Sequence, residues 1–217
     1  VKAAAGFSIA AAGQATSIDG KISIAASETI AAVMLPPMIA ELRLVEPSIE
    51  IDLVVSNSAS DLQRREADIA IRHFRPAEPD LYARKIGDMH TQLYAAPSYL
   101  ARIGNPQTID ELNRAQFISV DDTDIVMQGL NANGFSLTPA NFPIMTPSYL
   151  VMWELVKQGV GVGFLDAAIG DREPLVQRAL PDFKSFSFPI WLVAHRELKT
   201  SRRVRRVFDF LADKFAD

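Results

Sequence analysis

Three glycines alternate within Gln158–Asp166, QGVGVGFLD, and a glycine-rich loop of this kind could hold the phosphates of a nucleotide. A dinucleotide fingerprint has the spacing G-x-G-x-x-G, follows a strand and precedes a helix. Here Gly159 follows a predicted helix, and Phe164 stands where the third glycine belongs. We therefore predict no nucleotide loop. Gly159 should end a helix, and Gly161 and Gly163 should let a strand run close to another group.

Other arrangements for catalysis are sparse. The sequence contains no G-x-S-x-G elbow, no H-E-x-x-H motif and no Walker loop. Its histidines stand at unrelated spacings, and Glu28 with His73 is the one acid–base pair that could be constructed. Each histidine is better interpreted as a surface or strand-end residue than as a ligand; they are His73, His90 and His195. We predict that the chain is not an enzyme and needs no cofactor.

Metal and nucleic-acid chemistry are also disfavoured. The chain has no cysteine, which excludes disulfides and thiolate ligands. Asp121, Asp122 and Asp124 could hold a cation, but a solvated acidic turn is the preferred interpretation. The net charge of −4 does not suit a polyanion-binding module, and the basic cluster within Arg202–Arg206 fits a solvated helix face. No apolar run reaches the roughly 18 residues of a membrane span.

Hydrophobic periodicity predicts strands alternating with helices, which is typical of a parallel sheet covered on both faces. Pro36 and Pro37 interrupt the first helix, so we expect a bend or a late start there. The first predicted elements are a strand through Ile22, Ile24 and Ala26, a helix over Ile30–Leu42, a strand over Glu50–Val55, a short helix from Ser60 and a strand over Ala67–Arg72.

The remaining elements follow from the same patterns. Gly87 and Asp88 should separate two strands within Leu81–Pro97, and Thr108 should cap a short helix. Further predicted elements are a helix over Ser98–Ile103, a strand over Phe117–Val120, a helix opened by Pro147 and Ser148 with Leu150, Val151, Leu155 and Val156 on its apolar face, a strand over Phe188–His195 and a last helix from Thr200.

Polar residues follow several predicted strands at the starts of helices, where free N–H groups attract anions. Ser27–Thr29 follow the first strand, Asn57 and Ser58 the second, and Arg72 ends the third, where a cation could meet a carboxylate. Pro147-Ser148 start a helix in the second half. Taken singly, the serines and Thr29 suggest ordinary capping, and Arg72 a surface salt bridge. Their convergence favours a ligand site.

The ordered set of segments resembles the effector-binding domain of LysR-type transcriptional regulators, from about Asp19 to the end. The segments that carry the resemblance are GKISIAAS, LPPMIAEL, EPSIEIDLVV, EADIAIR, RKIGDMHTQLYAAPSYL, PQTIDELNRAQFI, LVKQGVGVGFLD and SRRVRRVFDFL. The resemblance implies an α/β fold with two Rossmann-like subdomains of periplasmic-binding-protein type II and a ligand cleft between them. We place a linker remnant at 1–19, subdomain I at 20–92 plus 192–217, and subdomain II at 93–191, with crossings near Leu93 and Trp191.

The resemblance also implies the site. The effector would be a small metabolite, often an anion such as a carboxylate, and the glycines would thin a strand so that ligand and opposite lobe can approach. No metal is implied. The effector-binding residues would be Ser27, Glu28, Thr29, Asn57, Ser58, Arg72, Pro147, Ser148, Gly163 and Phe164.

In the full protein, a winged helix-turn-helix ahead of this chain would bind promoter DNA. We expect a cytoplasmic homodimer or homotetramer that pairs through helices, including Ile30–Leu42, and that does not bind membranes. The alternative is a secreted solute-binding protein of a transporter. The first twenty residues are interpreted as the end of a linker, and a signal peptide is the corresponding alternative.

Overall fold

The computed structural model describes residues 18–57, 67–120, 122–196 and 201–215. Two compact units divide the chain: the first comprises the described residues up to Asp88 and from Pro189 onward, and the second comprises Met89–Phe188. The division points fall within the strands β4 (Leu81–Ala95) and β9 (Phe186–His195). The short helix predicted from Ser60, and the predicted linker up to residue 17, lie outside the described residues.

In the first unit, β1 (Gly20–Ala26) lies between β2 (Ile49–Val55) and β3 (Ile69–Arg72) and is parallel to both. The pairing joins Ala26 to Val55 and Ala25 to Ala70. This confirms the predicted parallel arrangement. On its other side β3 pairs antiparallel with β9, which places Arg72 directly opposite Trp191.

The helical stretch after β1 is shaped by its two prolines. Residues 30–34 form a π-helical turn, and the helix α1 (Leu35–Val45) begins directly after it. Proline has no N–H, and none is needed in the first turn of an α-helix, so Pro36 and Pro37 are accommodated there. In the wider turn before them, the Leu35 N–H donates to the Ile30 carbonyl. The predicted bend or late start therefore takes another form: residues from Glu28 are already helical, and the π-helical turn directly precedes the prolines.

The last helix, α7 (Arg202–Lys214), begins after Ser201, whose hydroxyl accepts a hydrogen bond from the Val204 N–H at 3.5 Å. Arg202, Arg205 and Arg206 are exposed, and Arg206 Nε lies 2.7 Å from Glu46 Oε1 in an ion pair. The predicted solvated basic face is confirmed for these three arginines, whereas Arg203 is half-buried and donates to the Asp19 carbonyl. The buried face consists of Val204, Val207, Phe208, Phe210, Leu211 and Ala212.

The second unit has short elements around the distal half of β4. They are α2 (Pro97–Arg102), α3 (Ile109–Leu112), β5 (Ile118–Val120), α4 (Thr123–Asn131), a 3₁₀ turn (Pro139–Asn141), β6 (Ile144–Thr146), α5 (Tyr149–Lys157), β7 (Gly163–Asp166), α6 (Ala167–Gly170) and β8 (Gln177–Arg178). The strands β7 and β8 are antiparallel to β4, and β5 is parallel to β6. Thr108 caps α3, as predicted, by accepting from the Glu111 N–H.

Tyr94 is central to this unit. In the ladder it pairs with Gly163 on one side and Arg178 on the other, and its ring meets that of Trp153 edge-on at 5.6 Å. Its hydroxyl donates to Asp171 at 2.8 Å, and Asp171 in turn accepts two hydrogen bonds from Arg178. Burial and the bond to Asp171 raise the pKa of Tyr94, so its hydroxyl stays a donor.

Two predictions about these elements are wrong. The strand β4 is one continuous strand of 15 residues, because Gly87 and Asp88 take part in it rather than forming a turn. The apolar face of α5 is also rotated from the predicted one: Val151 is exposed, Leu150 and Leu155 are half-buried, and of the predicted set only Val156 is fully buried. The buried residues are Met152, Trp153 and Val156. This helix is apolar nearly all round, so periodicity alone did not fix its inward face.

The glycines of the opening motif have structural roles. Gly159 follows α5 with φ of 71°, which confirms its predicted place after a helix. A Cβ on Gly161 would lie 2.8 Å from the Gln116 carbonyl oxygen. A Cβ on Gly163 would collide with Met152 and lie 2.5 Å from Val156 Cγ2. The space where a Cβ would stand on Gly161 and Gly163 is therefore filled by the core of their own unit, and the approach of a ligand to these glycines stays a prediction.

We predict that Gly163→Ala destabilises the chain by about 1–3 kcal/mol, since a methyl group must displace the packed side chains of Met152 and Val156. The matched control is Gly129→Ala in exposed α4, where a Cβ meets nothing within 4 Å. That control should stabilise by about 0.5–1 kcal/mol, because alanine is the better helix former. Urea denaturation of both variants checks this. A Gly163→Ala midpoint equal to the parent's would contradict the packing described for β7 and α5.

Candidate functional site

Three parallel strands of the first unit end at the same edge of their sheet. The Ser56 N–H donates to the Ala26 carbonyl at 3.0 Å, so β1 and β2 stay paired to their last residues. The residues at these ends form the strand-end cluster, which we define as Ser27, Glu28, Thr29, Asn57, Arg72 and His73. The carboxyl ends of parallel strands are where α/β folds bind ligands. Ser58, which was predicted to belong here, lies outside the described residues.

Two side-chain contacts join the strand ends. The Glu28 N–H donates to Asn57 Oδ1 at 3.0 Å, and Ser27 Oγ lies 3.5 Å from His73 Nε2. The Ser27 carbonyl accepts from the Ala31 N–H, so the helical stretch starts at this edge. Thr29 is buried, yet its side chain makes no capping hydrogen bond. The capping alternative therefore does not account for Thr29.

Arg72 is buried, with only 5% of its surface exposed, and its Nη1 donates to the Ile71 carbonyl at 3.2 Å. Arg72 therefore does not lie at the surface, as the alternative interpretation assumed. Its face of the sheet also carries Ala70 and Val193, which belong to a buried apolar cluster. Because water screens a buried charge weakly, a guanidinium in this position attracts an anion more strongly than an exposed one does.

The four candidates of the second unit lie around β7 and the start of α5. Ser148 caps α5, because its hydroxyl accepts from the Val151 N–H at 3.1 Å. Phe164 is half-buried, lies opposite Leu93 in the ladder and meets the ring of Tyr149 edge-on at 6.2 Å. Gly163 packs on α5, and Pro147 stands just before the cap. Capping and core packing thus describe Ser148 and Gly163, and their contact with an effector stays a prediction.

The acidic turn is a helix cap. Asp122 Oδ1 accepts from the Asp124 and Ile125 N–H groups at 2.9 and 3.4 Å, and Asp121 lies outside the described residues. Within the described ranges, no three acidic or histidine side chains come together in a way that could hold a metal ion. No helix in those ranges is long and apolar enough to cross a membrane.

Two residues near the cluster were missed by the sequence analysis. Trp191 lies opposite Arg72 across the β3–β9 pair, and the Arg75 guanidinium lies over the Trp191 ring, 5.6 Å from its centroid. The sequence analysis predicted a chain crossing near Trp191, but it did not predict which strand pairs with β9. Without that register, nothing connected Trp191 to Arg72.

A separate cavity of about 340 Å³ lies in the first unit between α7 and the strands β4 and β9. None of the predicted site residues lines it, and its walls mix apolar and charged groups. The lining residues are Tyr82, Ala194, Val204, Arg205, Phe208 and Asp209. It is a rival location for a small molecule.

The first unit is an α/β fold with polar and charged side chains at the carboxyl edge of its parallel strands. Comparison with known proteins makes the assignment specific: the chain belongs to the LysR substrate binding domain family, whose model matches residues 15–216. The Mau operon transcriptional activator of Paracoccus denitrificans is 30% identical over 199 residues, which is 88% of this chain and 63% of that protein. An HTH-type transcriptional regulator of Xanthomonas campestris is 38% identical over 78 residues, covering 36% of this chain and 23% of its own length.

Solved structures show the same fold. The regulatory domain of CrgA from Neisseria meningitidis superposes with a TM-score of 0.79 at 24% identity, covering 91% of this chain and 99% of that one. The effector domain of AmpR from Pseudomonas aeruginosa gives 0.74 at 19% identity, covering 91% and 96%. The predicted α/β fold class and family are confirmed: the chain is a LysR substrate binding domain, and it spans less than two thirds of the length of the two regulators above. Its relatives are transcriptional regulators, which does not favour the solute-binding alternative.

We predict that Asn57→Ala lowers the free energy of unfolding by about 0.5–1 kcal/mol, because the Glu28 N–H at the helix start loses its acceptor. Asn57→Asp is the matched control, since it keeps an acceptor oxygen and adds a negative charge that a helix N-terminus favours. Chemical denaturation of the three proteins measures both effects. If Asn57→Ala unfolds at the parent's denaturant concentration, Asn57 does not hold the two strand ends together.

Proposed function

We propose that the strand-end cluster binds a small carboxylate metabolite and that this chain senses that metabolite for a cytoplasmic transcription regulator. The buried Arg72 is the observation that carries the proposal. A guanidinium matches the planar, two-oxygen geometry of a carboxylate and can donate two parallel hydrogen bonds to it. Because a buried charge is screened only weakly, an anion bound beside the Arg72 guanidinium would stabilise the folded chain.

The neighbours of Arg72 also suit an anion. A helical stretch starts just after Ser27, and its first N–H groups carry a partial positive charge. The Glu28 N–H is held by Asn57 Oδ1 in an exposed hydrogen bond, and an anionic oxygen can replace an amide oxygen at such a donor. The Ser27 hydroxyl can donate or accept a hydrogen bond, and the role of each His73 ring nitrogen depends on the tautomer. Both side chains can therefore form hydrogen bonds with or without a bound anion. That residues of the second unit contact the same effector stays a prediction.

A bound effector would regulate by shifting an equilibrium between two conformations of the full protein. It can shift that equilibrium only by the difference between its affinities for the two conformations. The net charge of −4 fits a sensor that does not itself hold DNA. Promoter DNA would be bound by a separate helix-turn-helix domain of the full regulator.

Association of copies would transmit the change. Exposed apolar residues occur on the helical stretch before and within α1, where Val33 is 42% exposed and Leu44 is 84% exposed. A second copy that packs on this helical stretch would remove these side chains from water, which favours association. Sedimentation equilibrium should show a dimer or tetramer. Val33→Asp should raise the dissociation constant of this oligomer at least tenfold, which corresponds to about 1.4 kcal/mol. The control Leu175→Asp, at a residue that is also exposed, should leave it intact. A parent chain that stays monomeric at about 100 µM would contradict this pairing.

The ligand claim is tested by a thermal-shift screen of organic acids, amino acids and aromatic metabolites against the parent, Arg72→Ala and Arg84→Ala. A carboxylate present at about 100 times its dissociation constant adds about 2.7 kcal/mol, or roughly 5–10 °C for a chain of this size. We expect that shift in the parent and in Arg84→Ala, which removes an equal charge from an exposed position on β4. Arg72→Ala should lose it.

Two results would contradict the proposal. If Arg72→Ala keeps the full shift, the acid binds elsewhere, and the cavity lined by Tyr82 and Phe208 is the first place to look. If only amines or neutral compounds shift the parent, the ligand is not a carboxylate. Comparing the unliganded melting temperatures of the variants separates lost binding from lost folding.

A further inference from the structure

Trp191 lies beside Arg72 on one face of the sheet. The two residues are directly opposite each other in the antiparallel β3–β9 pair. Side chains opposite one another in such a pair point to the same face, with Cβ atoms about 5 Å apart. The next pair on this face, Ala70 with Val193, belongs to the buried apolar cluster on which Trp191 packs. Arg72 and Trp191 therefore form the polar end of an otherwise apolar strip.

The indole N–H of Trp191 is a buried donor that has no hydrogen-bond partner among the described residues. Buried donors in native proteins are nearly always paired, so this donor beside Arg72 needs an acceptor, which a ligand bound at the strand-end cluster would supply. An exposed residue, Arg75, covers the ring with its guanidinium 5.6 Å from the centroid. The group over this face of the indole ring is thus a surface side chain, which can move without disturbing the core.

We infer that Trp191 sets the specificity of the strand-end cluster and selects a carboxylate that carries a second acceptor oxygen on the neighbouring carbon, as in a 2-oxo acid. This inference rests on the proposed function. In it, Arg72 holds the carboxylate, and the Trp191 indole N–H donates to the 2-oxo oxygen. Both protein groups are donors without acceptor capacity, so the ligand must supply only acceptors at this point. An acid with a methylene in place of the oxo group leaves the indole N–H unpaired.

The test compares matched acids by calorimetric titration: 2-oxobutanoate against butanoate, and phenylpyruvate against 3-phenylpropanoate. The parent should bind each oxo acid at least about tenfold more tightly than its partner, which corresponds to about 1.4 kcal/mol. Trp191→Phe keeps an aromatic ring but has no N–H, so it should lose this preference for the oxo acid over its partner. The chain has two tryptophans, which makes Trp153→Phe the matched control; it should keep the preference.

A second measurement does not depend on how the variant folds. In the ¹H–¹⁵N spectrum of the parent, the two indole N–H signals are assigned with Trp153→Phe. The Trp191 signal should shift with 2-oxobutanoate and not with butanoate. If the acids bind but the oxo acids are not preferred, or if Trp191→Phe keeps the preference, the inference is overturned and the carboxylate site stands. If none of the four acids binds, the inference falls, and the screen of further carboxylates decides whether the proposed function falls with it.

Discussion

The parallel pairing of β1 with both β2 and β3 is the constraint on which the candidate site depends. This register brings three chain segments, separated by tens of residues, to one edge of the sheet. Only there can Asn57 reach the Glu28 N–H, and only there does Arg72 end a buried strand beside them. Each side chain alone has an ordinary structural use. Their shared edge is what makes an anion site a physical expectation.

A second consequence follows from the antiparallel partner of β3. The last strand returns to the sheet as β9 and places an aromatic donor across from the buried guanidinium. An arginine and an indole can both donate, and neither can accept, so this end of the sheet favours an acceptor-rich ligand. The pairing of β3 with β9 therefore bears directly on the number of acceptor atoms that an effector at this edge would carry.

The sequence predicted the elements whose apolar residues follow one clear period. The strands β1, β2 and β3 and the helix α7 were recognised because they bury one face or two faces consistently. Prediction failed where local signals were ambiguous. Gly87-Asp88 resembles a turn but lies within extended β4, and α5 offers apolar residues on every side. The role of Gly163 depends on which helix packs against it, and the position of Trp191 depends on the register between two strands that are distant in the chain. Local residue spacing determines neither.

Backbone amide mapping by ¹H–¹⁵N spectroscopy, using the first carboxylate that binds, tests the central claim most directly. The account predicts that the largest shifts fall on the amides of Glu28, Thr29, Arg72 and His73, at the shared edge of β1 and β3. Shifts concentrated instead at Tyr82, Phe208 and Asp209, around the separate cavity, would show that the carboxylate binds away from the strand-end cluster and would contradict the account.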